Sequence, residues 1–137
     1  MKYKVVLVED QYVARQLFEL YLKDREKYEI VRTLESASGI VEILRNVPVD
    51  LILMDILLDD HSNGMEGAAG IKKERPGIKI IAMTSMAEKS WLSRARETGI
   101  ESFWYKESSR ETILDVMDRT MNGESVYPDH PPRIQLG

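Results

Sequence analysis

Cysteine is absent from the 137-residue chain, which excludes a disulfide framework and any thiolate metal site. The N-terminus lacks the charged-then-apolar layout of a signal peptide, and no apolar run approaches the length needed to span a bilayer. A cytoplasmic protein with no membrane partner is therefore the expectation. Positive charge is not in excess either, since 19 Lys and Arg face 23 Asp and Glu for a net charge of −4. General attraction to nucleic acid is thereby excluded, and the chain alone is not expected to bind DNA. No Gly-rich phosphate loop follows the first apolar block, which argues against a flavin or nucleotide binder. Internal repeats and low-complexity stretches are missing as well.

What is present, 43% hydrophobic and 31% charged residues, suits a single domain able to close one core. Apolar blocks of strand length recur at Tyr3–Val8, Tyr28–Leu34, Leu51–Met54, Ile78–Met83 and Ser102–Tyr105. Between them, helical spacing covers Tyr12–Lys23, Ala37–Arg45, Gly64–Glu74, Ala87–Thr98 and Glu111–Met121, with Ser38, Thr98-Gly99 and Asn122-Gly123 as start or stop signals. The runs around Leu7, Ile52 and Ile80 are almost unbroken, the mark of parallel strands covered on both faces. Strict alternation of strand and helix implies right-handed crossovers and an α/β sheet. Gly67 and Gly70 each cost roughly 1 kcal/mol inside a helix relative to Ala, which is explained by close packing against the sheet. The closing stretch "YPDHPPRIQLG" holds three of the five prolines, so residues 1–123 are expected to form the domain and 124–137 a linker or tail.

The sequence "KYKVVLVEDQ" sets two carboxylates, Glu9 and Asp10, side by side at the end of a strand built for burial. Such repulsion needs relief from a cation or a proton. In an open parallel sheet ligands bind beyond the carboxyl ends of the strands. There the third strand delivers Asp55, the fourth Thr84-Ser85 and the fifth Lys106. Taken singly, each acid serves as a turn or cap residue, Thr84 as a helix cap and Lys106 as a solvated lysine. Taken together, three carboxylates, a hydroxyl and an ammonium converging on one edge point to a site.

Crowded carboxylates suit a hard divalent cation, and Mg²⁺ matches best because it takes one or two carboxylates and keeps room for phosphate oxygens. Asp10 and Asp55 would hold it, with Glu9 acting mainly through water. A carboxylate such as Asp55 can form an acyl phosphate, and Thr84 and Lys106 are suited to neutralise and hydrogen-bond phosphoryl oxygens.

Over Met1 to about Gly123 the sequence resembles the receiver domains of two-component response regulators. The resemblance rests on "LVEDQ" with Glu9-Asp10, "DLILMD" with Asp55, "IIAMTS" with Thr84 and "SFWYK" with Lys106. It implies a flavodoxin-like, doubly wound five-stranded parallel sheet of order 2-1-3-4-5, with helices on both faces. It also implies Asp55 as phosphoacceptor, Glu9 and Asp10 as the acidic metal pair, and the Leu57 backbone carbonyl as a further metal ligand. Thr84 becomes the switch hydroxyl, Lys106 the phosphoryl-binding lysine and Phe103 the switch aromatic. The partner is a sensor histidine kinase, and the protein is a phosphorylation-activated switch for transcription control rather than an enzyme. The stretch from Gly99 to Asp129 is similar to LuxR-type regulators, which carry a helix-turn-helix output domain behind such a linker. None is present here, and the frayed look of "PPRIQLG" favours a piece of a longer regulator over a stand-alone receiver. A receiver homodimer is a further expected partner.

Three departures from the family accompany this. The loop "ILLDDHSNG" is one residue longer than usual, lacks a common proline and adds Asp59 and Asp60. Glu107 follows Lys106 where many receivers have proline, and Ser85 stands where Ala or Gly is common. His61 and His130 are read as loop and tail residues. Met83, Met86 and Met117 are read as packing. Trp91 and Trp104 are core or interface aromatics that with Tyr105 would give the fourth helix and fifth strand an apolar contact patch. Two rivals stay open: a receiver-like interaction module that takes no phosphate, and a Mg²⁺-dependent phosphohydrolase.

Overall fold

A computed structural model of the chain describes residues 2–23, 25–58, 62–85, 89–106 and 112–128. Strands β1 (Tyr3–Val8), β2 (Tyr28–Leu34), β3 (Leu51–Asp55), β4 (Lys79–Thr84) and β5 (Ser102–Tyr105) alternate with helices α1 (Tyr12–Leu22), α2 (Ile40–Leu44), α3 (Gly64–Glu74), α4 (Lys89–Thr98) and α5 (Ile113–Met121). Every strand pair is parallel, and the sheet runs in the order β2-β1-β3-β4-β5. This is the expected flavodoxin-like arrangement.

Burial on both faces explains the unbroken apolar runs. Val5 to Val8 and Leu51 to Met54 are fully buried. Their side chains alternate between two cores. Val5, Leu7, Leu51, Leu53, Ile81 and Met83 meet Phe18 and Leu22 of α1 and Ile113, Val116 and Met117 of α5. Val6, Val8, Ile52, Met54, Ile80 and Ala82 face the other way, toward α2, α3 and α4. Register then fixes the functional edge, because Val8 aligns with Met54, Asp55 with Met83 and Thr84 with Tyr105. The polar residues that follow the apolar runs are thereby brought to one side.

Helix ends follow local chemistry. Asn63 caps α3 by accepting from the backbone of Met65 at 2.8 Å, and Thr112 caps α5 by accepting from Asp115 at 3.1 Å. Gly99 and Gly123, at φ +90° and +95°, stop α4 and α5 in the left-handed region as the sequence signals predict.

Four features depart from the sequence reading. Helix α2 is short because Gly39, at φ +68°, precedes it, while Ser36 Oγ and Ser62 Oγ accept from the Ser38 and Ala37 backbone and hold that turn. Gly67 and Gly70 do mark close packing, chiefly against α2: added Cβ atoms would lie 3.2 Å from Ile40 Cγ2 and 2.8 Å from Val41 Cγ2, while the sheet is reached only at Gly67, 3.6 Å from Met54 Cε. Trp91 and Trp104 sit on opposite faces of the sheet, and Tyr105 is buried, so the three form no common patch. The chain also stays on the fold past Gly123, since Val126 is 8% exposed and belongs to the core.

Met83 and Met117 are buried packing residues, as expected. Met86, Asp59, Asp60, His61, Glu107 and His130 lie outside the described residues.

Candidate functional site

The site grows from the last residues of four strands. Glu9 follows β1 and is fully buried, Asp55 closes β3 at 4% exposure, and Thr84 closes β4 at 1%. Lys106 follows β5, and its backbone N–H donates to Thr84 O at 2.9 Å, which carries the sheet pairing one step beyond the strands. Burial of this many polar groups costs several kcal/mol each unless they are paired. Glu9, Asp55 and Lys106 are paired with one another.

Lys106 is the centre of that pairing. Its ammonium donates to Asp55 Oδ2 at 2.8 Å and forms a second, short ion pair with Glu9 Oε1. The other oxygens are held by backbone: Asp55 Oδ1 accepts from Leu57 N at 2.9 Å, and Glu9 Oε2 accepts from Gln11 N at 3.2 Å. Burial nevertheless pushes the Glu9 carboxyl up to about 7, with the Asp55 charge adding to it, despite the opposing pull of Lys106. For Lys106 the balance runs the other way. Burial disfavours its charge, but the bonds to Asp55 and Glu9 outweigh that and hold its pKa above the ordinary lysine value.

Asp10 is half-buried beside this pair. Carboxylate oxygens of Glu9, Asp10 and Asp55 lie within 4.8 Å of one another, close enough to share one cation. Oxygen-only donors at that spacing fit a hard divalent ion.

The structure therefore brings Glu9, Asp10, Asp55 and Lys106 together, with Thr84 at the adjoining strand end. Leu57 is in place two residues beyond Asp55, bridged to Asn63 across the loop. Phe103 stands apart, buried at 2% with its ring 5.1 Å from Tyr105. Ser85, the residue after Thr84, is exposed.

Two residues of the site escaped the sequence reading. Arg15 Nη1 donates to Glu9 O at 3.0 Å and Asp10 O at 2.8 Å, while Nη2 lies 3.2 Å from Glu35 Oε1. One guanidinium thus clamps the acidic loop to the end of β2. Its signal was available, because a first-turn helix side chain leans back toward the N-terminus. Gly64, the first residue of α3, is the second. A Cβ there would lie 2.2 Å from Asp55 O, so only glycine lets α3 begin so close to the end of β3.

An apolar groove of about 650 Å³ between α1 and β2, lined by Val13, Leu17, Leu20 and Tyr28, lies toward the opposite end of the strands and takes no part in this cluster. No helix among the described residues is long and apolar enough to cross a membrane.

Known proteins resemble the chain in sequence and in fold. Residues 5–118 match the family described as the response regulator receiver domain. The response regulator protein VraR of Staphylococcus epidermidis is 35% identical over 127 residues, covering 93% of this chain and 60% of VraR. The chain thus spans less than two thirds of that relative's length. Among solved structures, a LuxR-family two-component response regulator from Aurantimonas superposes with a TM-score of 0.82 at 19% identity, over 92% of this chain and 89% of that one. The isolated receiver domain of RcsB from Salmonella enterica, solved with beryllium fluoride as a phosphomimetic, gives 0.82 at 18% identity over 94% and 95%. At such identities the structural likeness speaks for the fold.

Proposed function

The chain belongs to the response regulator receiver domain family, and on that premise we propose that Asp55 accepts a phosphoryl group from a sensor histidine kinase and so switches an output surface. The observation that carries the proposal is the placement of Asp55. Its Oδ2 is held by an ammonium at 2.8 Å in a buried setting, with two further carboxylates close by.

The transfer moves a phosphoryl group from a phosphorylated imidazole to a carboxylate. The P–N bond breaks, a P–O bond forms at Asp55 Oδ2, and the imidazole leaves with the bonding pair. Leu57 N keeps Oδ1 oriented throughout. Lys106 is free to follow the charge from the carboxylate onto the new phosphoryl oxygens, and the Thr84 hydroxyl at the neighbouring strand end supplies a further donor. Glu9, Asp10, Asp55 and the Leu57 carbonyl would hold Mg²⁺, which when bound neutralises the crowded acids and the incoming phosphoryl charge. Arg15 fixes the acidic loop from behind through the two carbonyls it binds.

The switch is then a shift between conformers. Phe103 is buried at 2%, and phosphorylation would favour that inward position over an outward one. Moving such an equilibrium from mostly off to mostly on takes about 5.5 kcal/mol of differential interaction, within reach of a few charge-assisted bonds. The switched surface is offered to a second receiver or to the remainder of a longer transcription regulator. The test is intact-mass analysis after incubation with acetyl phosphate and Mg²⁺. One phosphoryl group should be added to the natural chain and none to Asp55→Asn, and equal addition to both would refute the proposal.

A further inference from the structure

The chain does not leave the sheet where α5 ends. After the turn at Gly123 the backbone runs along the outer edge of β5, where Phe103 N donates to Val126 O at 2.9 Å. Val126 N donates to Ser102 Oγ at 3.0 Å, and that hydroxyl is itself 2.6 Å from Thr120 Oγ1. The Tyr127 hydroxyl donates to Ile100 O at 2.6 Å, one loop earlier. The ring of Tyr127 lies 6.3 Å from that of Phe103 and carries the Arg96 guanidinium at 4.0 Å on the α4 side. An otherwise open strand edge is covered by these contacts.

We infer that the outer edge of β5 is an interaction surface whose occupant is the chain's own segment 124–128, and that its occupancy is coupled to the buried position of Phe103. Phe103 is the shared neighbour. Its ring rests between Tyr105 and Tyr127, and its backbone N–H is the one that Val126 engages. If Phe103 swings out, Tyr127 loses one wall of its seat and is left with the Ile100 bond, Arg96 and what remains of its packing on the core. If Tyr127 lifts away, the buried Phe103 ring is left facing water.

The inference rests on the reading of Asp55 as acceptor and of Phe103 as the aromatic that responds. A phosphoryl group that favours buried Phe103 must then also favour the docked segment. By reciprocity the docked segment must strengthen binding of a phosphoryl analogue by the same factor. Whatever is joined beyond residue 128 is thereby held or released with the switch. A segment that merely plugged the edge would add stability and leave that affinity unchanged.

The experiment is a titration with beryllium fluoride and Mg²⁺, followed by tryptophan fluorescence, on the natural chain, Tyr127→Ala and Tyr127→Phe. Tyr127→Ala should bind about five- to tenfold more weakly, a coupling of the usual allosteric size. Tyr127→Phe keeps the ring and should stay within about twofold. Should Tyr127→Ala not melt cooperatively, the exposed Arg96→Gln variant removes the cation from the ring and should weaken binding about two- to threefold. Amide exchange at Phe103 and Val126 should slow when the analogue is added to the natural chain. Equal affinity in folded variants, or exchange at Val126 indifferent to the analogue, overturns the coupling alone. No binding by the natural chain overturns the acceptor reading and the coupling with it.

Discussion

The Lys106 ammonium stands 2.8 Å from Asp55 Oδ2 while it also ion-pairs with buried Glu9, so one cation holds two carboxylates that would otherwise repel each other. Removing it by Lys106→Met leaves both acids without that compensation. Breaking a buried pair from one side costs about 3 kcal/mol or more. Urea denaturation at pH 8 should show a loss of that order, and a smaller one at pH 6, where Glu9 takes up a proton. A loss that does not change between the two pH values would contradict the shared pairing.

Glu9 makes the metal-free chain sensitive to pH. Its carboxyl binds a proton more tightly in the fold, at about 7, than at the ordinary value of 4.5. A raised pKa contributes stability below the unfolded value and loses it as pH climbs through the folded one. The metal-free protein should therefore lose part of its stability between about pH 4.5 and 7, and Glu9→Gln should flatten that slope. Mg²⁺ competes with the same proton, so its affinity should rise across this window. Calorimetric melts and isothermal titrations over pH 5 to 8 measure both.

Asp10 is the most exposed of the three acids and has the least to lose by neutralisation. Asp10→Asn should weaken Mg²⁺ binding at least tenfold while raising metal-free stability by about 0.5 to 1 kcal/mol, because like-charge repulsion falls. Unchanged Mg²⁺ affinity would place the cation elsewhere.

Two glycines give a paired test of the approach of α3 to Asp55. At Gly64 an added Cβ meets Asp55 O at 2.2 Å, whereas at Gly77 it meets nothing within 4 Å. Gly64→Ala should lower stability by about 2 kcal/mol or more and weaken Mg²⁺ binding, since either the helix or the acceptor must shift. Gly77→Ala should stay within about 0.5 kcal/mol of the natural chain. Equal stability of the two variants would contradict the close approach.

Strands and strand-end residues were legible because burial on both faces leaves a run such as Val5–Val8 or Leu51–Met54 with one reading, and the first polar residue after it marks the edge. Four such ends named most of the cluster. Contacts made by folding were not legible. Glu9 and Lys106 are 97 positions apart in sequence, and their pairing depends on register and burial that no local pattern states. Gly67 and Gly70 announced close packing, which the reading placed against the sheet, whereas their nearest neighbours are Ile40 and Val41 of α2. The stretch after Gly123 has a linker's composition, yet its backbone finds donors and acceptors at Ser102 and Phe103 and stays on the sheet. Prolines at 128, 131 and 132 bar a continued helix but say nothing of a docked strand edge.

The central claim is that Asp55 carries the phosphoryl group, and the most direct measurement locates it chemically. An acyl phosphate is reduced by borohydride to an alcohol, which turns a phosphorylated aspartate into homoserine. Peptide mass spectrometry of the reduced, acetyl-phosphate-treated chain should find homoserine at position 55 and at no other aspartate. Homoserine at position 10, 59 or 60, or none anywhere after a phosphoryl group has been added, would contradict the account.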